Sequence, residues 1–205
     1  MKIPFTNYQL DTSSIFKKRT PNIDDHFGVY FICGRQGSGK TYLAVQFLNN
    51  MNLKKVKIYT NVHSLVLPHS DFTKIEELYD NFEEHCCFVI DEISKKYHKN
   101  SPTDKDFYAW LNQSRKRKRI VILITQEWRE LPMWIRRPAK IMISSKPTKI
   151  LSMFGFVTQL WGDAENMIFD KDEGEYICPP IKYVIHKKNM DVARLYDTFE
   201  PIETL

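Results

Sequence analysis

Residues Gly34-Arg35-Gln36-Gly37-Ser38-Gly39-Lys40-Thr41 constrain this chain more than anything else in it. They match G-x-x-x-x-G-K-[ST] in full, between an apolar run, Val29 to Cys33, and a segment, Thr41 to Asn50, whose Tyr42, Leu43, Val45, Phe47 and Leu48 fall at helical spacing. A strand that turns through glycines into a helix aims backbone N–H groups and the positive end of the helix dipole at one point, which suits a phosphate. Lys40 can then reach the β- and γ-phosphate oxygens of ATP, and the Thr41 hydroxyl can ligate Mg2+. Three of the chain's seven glycines lie in these eight residues. A flexible surface turn that binds nothing needs no such concentration.

Strand and helix signals continue to alternate. Val56 to Thr60 is β-branched, Thr73 to Glu84 carries Ile75, Leu78, Tyr79 and Phe82 on one helical side, and Cys86 to Ile90 reads as a buried strand. Asp104 to Gln113 reads as a helix, and Ile120 to Thr125 as a strand apolar on both faces. This order predicts an α/β fold: a mainly parallel sheet flanked by helices, the P-loop NTPase architecture. Beyond Trp128 the pattern loosens into a short helix over Trp128 to Arg136, a strand over Lys140 to Ser145, two β-rich segments at Lys149 to Trp161 and Tyr176 to His186, and a short helix from Met190 to Phe199. Pro179-Pro180 excludes a regular central strand at that point.

A hydrolytic site needs acids beside the phosphate loop. Cys87-Phe88-Val89-Ile90-Asp91-Glu92 supplies them: four apolar residues, then Asp91 to hold Mg2+ through water, then Glu92 to orient and deprotonate an attacking water. A kinase with a small acceptor needs no carboxylate aimed at water, so the adjacent pair favours hydrolysis, although Glu92 could also serve as a helix cap. Thr125-Gln126 ends the next strand at the edge where open α/β sheets bind ligands, so Gln126 is a candidate to touch the γ-phosphate. The alternative is a structural amide.

Length and composition bound the rest. With 205 residues and 24.4 kDa, one domain is expected. Residues 1–27, polar and carrying Pro4 and Pro21, read as an arm, and 28–205 as a single P-loop ATPase domain whose part beyond about residue 146 has no readable role. Apolar runs such as Ile120 to Ile124 are strand-sized, far from a membrane span, and the amino terminus lacks the apolar core of a signal peptide. A soluble, intracellular protein is expected. Cys33, Cys86, Cys87 and Cys178 show no Cys-x-x-Cys spacing and read as reduced thiols; His85 beside Cys86 and Cys87 lacks a second pair to complete a zinc site.

The net charge of +5 permits a polyanionic partner, and its distribution says more. Arg115-Lys116-Arg117-Lys118-Arg119 could supply an arginine finger to a neighbouring subunit, neutralise DNA phosphates, or form a solvated helix end. Trp128-Arg129 and Trp134-Ile135-Arg136-Arg137 interleave aromatic and cationic side chains after Gln126, a pattern open to core, interface or DNA contact; Arg136 and Arg137 are further finger candidates.

These motifs, in this order, resemble the P-loop ATPases of the FtsK-HerA superfamily, in particular the zonular occludens toxin-like, filamentous-phage assembly ATPases. The likeness rests on Gly37-Ser38-Gly39-Lys40-Thr41-Tyr42 as Walker A, Ile90-Asp91-Glu92 as Walker B, Tyr59-Thr60-Asn61-Val62, and Ile122-Leu123-Ile124-Thr125-Gln126, with an echo in Leu195-Tyr196-Asp197-Thr198. Arg115 matches the family's arginine before the third motif, while Lys116 stands where a histidine is usual. The resemblance implies nucleotide binding by Gly34, Arg35, Gln36, Gly37, Ser38, Gly39, Lys40, Thr41 and Tyr42, metal binding by Thr41 and Asp91, and catalysis by Glu92, Lys40, Gln126 and, from a neighbour, Arg115. It implies a homo-oligomeric ring that moves phage or viral DNA. Filamentous-phage members continue into a membrane span; with none readable here, the chain is also similar to the soluble packaging ATPases of tailless icosahedral viruses. A capsid vertex or assembly-complex protein is then the expected anchor. A nucleotide or small-molecule kinase, and an ATP-switched assembly protein with little turnover, are the alternatives.

Overall fold

The computed structural model describes residues 9–11, 27–53, 55–81, 83–145, 154–172 and 174–197. In chain order come β1 (Gln9–Asp11), β2 (Gly28–Cys33), helix α1 (Lys40–Leu53), β3 (Lys57–Thr60), β4 (Ser70–Asp71), β5 (Cys86–Ile90), α2 (Lys105–Gln113) and β6 (Ile120–Thr125). The chain continues through α3 (Met133–Arg136), β7 (Ala139–Ser145), β8 (Phe156–Asp163), β9 (Ile168–Asp170), β10 (Glu175–Ile177), β11 (Pro180–Lys187) and α4 (Met190–Ala193).

Continuous apolar runs can be satisfied only where both faces of a sheet are covered, and β2, β5 and β6 are buried along their whole length. They sit in the middle of one sheet of order β1-β11-β8-β7-β2-β6-β5-β3-β4, with β9 and β10 as a separate hairpin. From β7 to β4 all neighbours are parallel. β8 runs antiparallel to both β7 and β11, and β1 pairs parallel with β11. On one face, Tyr30, Ile32, Val89 and Ile122 pack with Leu43, Phe47 and Met51 of α1. On the other, Phe31, Phe88 and Leu123 pack with Phe107, Trp110 and Leu111 of α2, and with Trp128 and Ile135.

Local chemistry sets the helix ends. Asp104 caps α2: one carboxylate oxygen accepts from the Phe107 N–H (3.0 Å), and the other from the hydroxyls of Tyr79 and Tyr97 (2.7 Å each). Lys55, at φ +60°, turns the chain out of α1 in the left-handed conformation usual for such exits.

The helix expected over Thr73 to Glu84 is only a 3-10 turn, Ile75–Leu78. Its start is well made, with the Glu77 carboxylate accepting from the N–H of Lys74 and the hydroxyl of Thr73. Beyond Leu78 the chain turns away, and the buried guanidinium of Arg119 donates to the carbonyls of Asn81 and Glu83, holding that course. Phe82 lies outside the described residues. The single helix expected over Trp128 to Arg136 is a 3-10 turn, Trp128–Glu130, and α3, separated at Pro132, which cannot donate in a helix interior. Part of the amino-terminal lead-in is regular after all, since Gln9–Asp11 pairs with Lys182 to Val184. The closing helix spans Met190–Ala193 alone.

Candidate active site

The glycine-rich loop leaves β2 at Gly34, whose N–H donates to the carbonyl of Gln126 (3.1 Å). No other residue fits at Gly34: a Cβ would stand 2.5 Å from the Ser38 hydroxyl oxygen and 2.7 Å from the Ser145 carbonyl oxygen. Gly37 and Gly39 hold φ of +73° and +86°, the left-handed region that lets the loop turn tightly before α1 begins. The Lys40 ammonium donates back across the loop to the Arg35 carbonyl (3.2 Å). Ser145, at the end of β7, donates its hydroxyl to the Ser38 carbonyl (2.5 Å). The hydroxyl oxygen of Ser38 is buried without a hydrogen-bond partner among the described residues. A buried hydroxyl left without a protein partner in this loop fits a phosphate oxygen as its partner.

Asp91 follows the last residue of β5 and is 3% exposed. Asn61, at the end of β3, grips its main chain from both sides: the Asn61 carboxamide donates to the Asp91 carbonyl (3.1 Å) and accepts from its N–H (2.8 Å). The Asp91 carboxylate accepts from the Thr41 hydroxyl (3.1 Å) and the Glu92 N–H (2.8 Å). Burial nevertheless pushes its pKa up to about 6. A carboxylate and a hydroxyl converging at the loop are the oxygen donor set a hard divalent cation takes, so the residues present fit Mg2+. Glu92 adopts the left-handed conformation, φ +53°, and its carboxylate pairs with Lys95 (2.8 Å). Burial holds the Lys40 pKa below its ordinary value, against the opposing pull of Asp91 and Glu92.

The structure therefore brings Gly34 to Thr41, Asp91 and Gln126 together through direct hydrogen bonds, with Glu92 adjoining. Tyr42 is different: its ring is buried, and its hydroxyl accepts from the Asn189 N–H (2.7 Å), fastening the carboxyl-terminal segment to α1 instead of facing the loop. Arg115 stands beside Gly28, at the start of β2, while the loop leaves its end; it pairs with Glu165 (2.9 Å). A six-residue strand is about 20 Å long, so Arg115 cannot serve the loop of its own chain.

Two other arginines are removed from the finger candidates. Arg119 is 0% exposed, its guanidinium lying over Phe88 and Trp110 (5.4 and 5.7 Å) while it holds the Asn81 and Glu83 carbonyls. Arg136 is 4% exposed, over the ring of Trp128 (5.8 Å) and facing Glu175 (3.8 Å). Trp128 packs edge-on against Phe31 (4.8 Å), so half of the aromatic and basic segment is core. The four cysteines are free, and burial raises the thiol pKa of Cys33, Cys86 and Cys87. Sequence reasoning missed Ser145 altogether, because a serine ending a strand carries no pattern. Asn61 was signalled only by resemblance, without its clamp on Asp91.

A parallel sheet with a glycine loop at its carboxyl edge, an acid on the strand after next and a polar strand end hydrogen-bonded to the loop defines a P-loop ATPase. The chain belongs to the ATPase family associated with various cellular activities (AAA), whose model matches residues 30–146. It is an ATP-binding ATP hydrolase. Its fold is similar to the N-terminal domain of zonular occludens toxin from Neisseria meningitidis, at 18% identity and a TM-score of 0.61, over 83% of this chain and 98% of that one. It is also similar to the genome packaging NTPase B204 of Sulfolobus turreted icosahedral virus 2 in complex with ATP-gammaS, at 15% identity and a TM-score of 0.55, over 82% of this chain and all of that one. No curated protein matches the sequence. Among the described residues no helix is long and apolar enough to cross a membrane.

Proposed function

We propose that this ATPase is a Mg2+-dependent DNA translocase of the FtsK-HerA kind, working as a homo-oligomeric ring that moves phage or viral DNA during genome packaging or virion assembly. The observation that carries the reading is the hydrogen bond between the Gly34 N–H and the Gln126 carbonyl, which ties the third motif to the phosphate loop. The fold likeness to a packaging NTPase and to the zonular occludens toxin domain supports it. Residues 28–205 would act as one ATPase unit, with 1–27 as an arm that lends β1 to the sheet.

In this reading amides of the loop from Arg35 to Thr41 bind the triphosphate, the Gly34 N–H being held by Gln126, and Lys40 neutralises its β- and γ-oxygens. Thr41 and Asp91 would hold Mg2+, which when bound withdraws charge from the same oxygens. Glu92 accepts a proton from the attacking water once its carboxylate leaves Lys95. Gln126 contacts the γ-phosphate, and loss of that contact is felt at once by the 127–137 segment. Arg115, remote from its own loop, reaches the γ-phosphate of the next subunit. A host-cell or virion-borne protein anchored by a capsid vertex or assembly-complex protein would complete the motor.

Steady-state ATP hydrolysis with and without single- and double-stranded DNA tests the reading. DNA should stimulate turnover, and the stimulation should fade as salt rises. Glu92→Gln should bind ATP and lose turnover; normal hydrolysis by that variant would show that the base lies elsewhere.

A further inference from the structure

The segment after Gln126 divides in two. Trp128 and Arg136 turn into the core, whereas Trp134 and Arg137 border an open pocket of about 540 Å³, lined also by the 99–103 loop and the first turn of α2. That volume lies in the range of about 300 to 1,000 Å³ usual for small-molecule sites. Its wall joins Gln126 through residues 127–132 only.

Its chemistry is specific. The Trp134 indole is fixed by its neighbours: its N–H donates to the Ser101 carbonyl (3.3 Å), Tyr97 and Phe107 meet it at steep angles with centroids 5.1 and 6.5 Å away, and Tyr108, itself in the pocket wall, does so at 6.4 Å. A held ring is a platform on which a planar group can stack without reordering the protein. Arg137 is exposed, and among the described residues its guanidinium has no hydrogen-bond or ion-pair partner. Lys99, also in the lining, is paired with Glu175. No carboxylate lines the pocket itself. An aromatic floor beside one uncompensated guanidinium suits a planar ring that carries a negative charge.

We propose that this pocket holds one nucleotide unit, its base against Trp134 and Tyr108 and its phosphate beside Arg137. The inference rests on the DNA-translocation reading and deepens it: a base stacked inside a duplex cannot enter, so the strand gripped here is single. A free mononucleotide offers the same chemistry, and the test separates the two sources.

Fluorescence anisotropy of a labelled thymidine oligonucleotide is measured with the full chain, with Arg137→Glu, with Trp134→Ala and with Trp134→Phe. In a second arm dTMP is titrated against tryptophan fluorescence in Lys40→Ala protein, whose phosphate loop no longer competes. Arg137→Glu and Trp134→Ala are expected to weaken oligonucleotide binding by about tenfold or more, and Trp134→Phe to retain most of it. Because Trp134→Ala removes core contacts, the exposed Arg137→Glu is the decisive variant, with circular dichroism unchanged and oligonucleotide binding measured without ATP. Quenching by dTMP that Arg137→Glu removes, without oligonucleotide binding, would overturn the strand-binding proposal and assign the pocket to a free nucleotide. Unchanged oligonucleotide affinity and unchanged DNA-stimulated turnover in both variants would overturn the pocket while leaving translocation standing. Absence of DNA stimulation and of any oligonucleotide or dTMP binding in the parent protein would overturn both.

Discussion

The two halves of the sheet are built by different rules. From β7 to β4 the strands are parallel, and β2, β5 and β6 are buried end to end under α1 and α2. Beyond β7, β8 runs antiparallel to both its neighbours, and Phe154, Ile181 and, in the adjoining β9–β10 hairpin, Ile168, Phe169 and Tyr176 keep large apolar side chains in solvent. Catalysis needs groups held within a few tenths of an ångström, and the Gly34, Thr41, Asn61, Asp91 and Gln126 contacts all fall in the first half. Rigidity is thus concentrated where phosphate chemistry requires it. The second half spends its sequence on edges and open apolar surface.

The comparison can be broken most decisively at the loop. Lys40→Ala is expected to abolish ATP turnover, by roughly 100-fold or more, in a phosphate-release assay, while the unfolding transition stays in place because the side chain is not core. If the fold were lost instead, the loop would be a structural element rather than a binding one.

Arg119→Ala should show the reverse pattern. It strips two buried carbonyls of their donor and leaves a cavity beside Phe88 and Trp110, at a cost of about 3 to 5 kcal/mol read by chemical denaturation. Turnover per folded molecule should change little.

Asp91→Asn sharpens the distinction between stability and function inside the site. Burial raises the folded-state pKa from 3.8 to about 6, so ionisation is resisted by the folded protein more than by the unfolded chain. That group's favourable contribution is complete below about pH 4 and disappears as pH climbs to about 6. At one unit per 1.36 kcal/mol, the nucleotide-free Asn variant should be more stable than the parent by up to about 3 kcal/mol above pH 6. The gain should vanish below about pH 4. ATP turnover should be lost at every pH.

Arg115→Ala should be the mildest change to the fold, under about 0.5 kcal/mol, since its ion pair with Glu165 is exposed. A fall in turnover that mixed rings partly restore would give Arg115 its role in a neighbour's site.

Legibility followed the same divide. β2, β5 and β6 were readable because a strand covered on both faces must be apolar throughout, and α2 because Asp104 precedes a helical repeat of Phe107, Trp110 and Leu111. The helix expected over Thr73 to Glu84 is only a turn over Ile75–Leu78, and the group that holds the carbonyls beyond it, Arg119, lies dozens of residues away. Arg115 to Arg119 read as one basic run, yet Arg115 is at the surface and Arg119 in the core. Nothing in the spelling separates them, because a guanidinium is buried or exposed according to which carbonyls and rings the fold brings to it.

By itself the sequence determined the phosphate loop, its acid pair and the parallel α/β class, since glycines, a lysine and apolar runs act through local geometry. Only the tertiary structure decided that Gln126 pins Gly34, that Asn61 clamps Asp91, that Ser145 completes the loop and that Trp134 and Arg137 share a pocket. Those groups meet across separate strands and loops, and a hydrogen bond or a stacked ring depends on distance in space rather than on order along the chain.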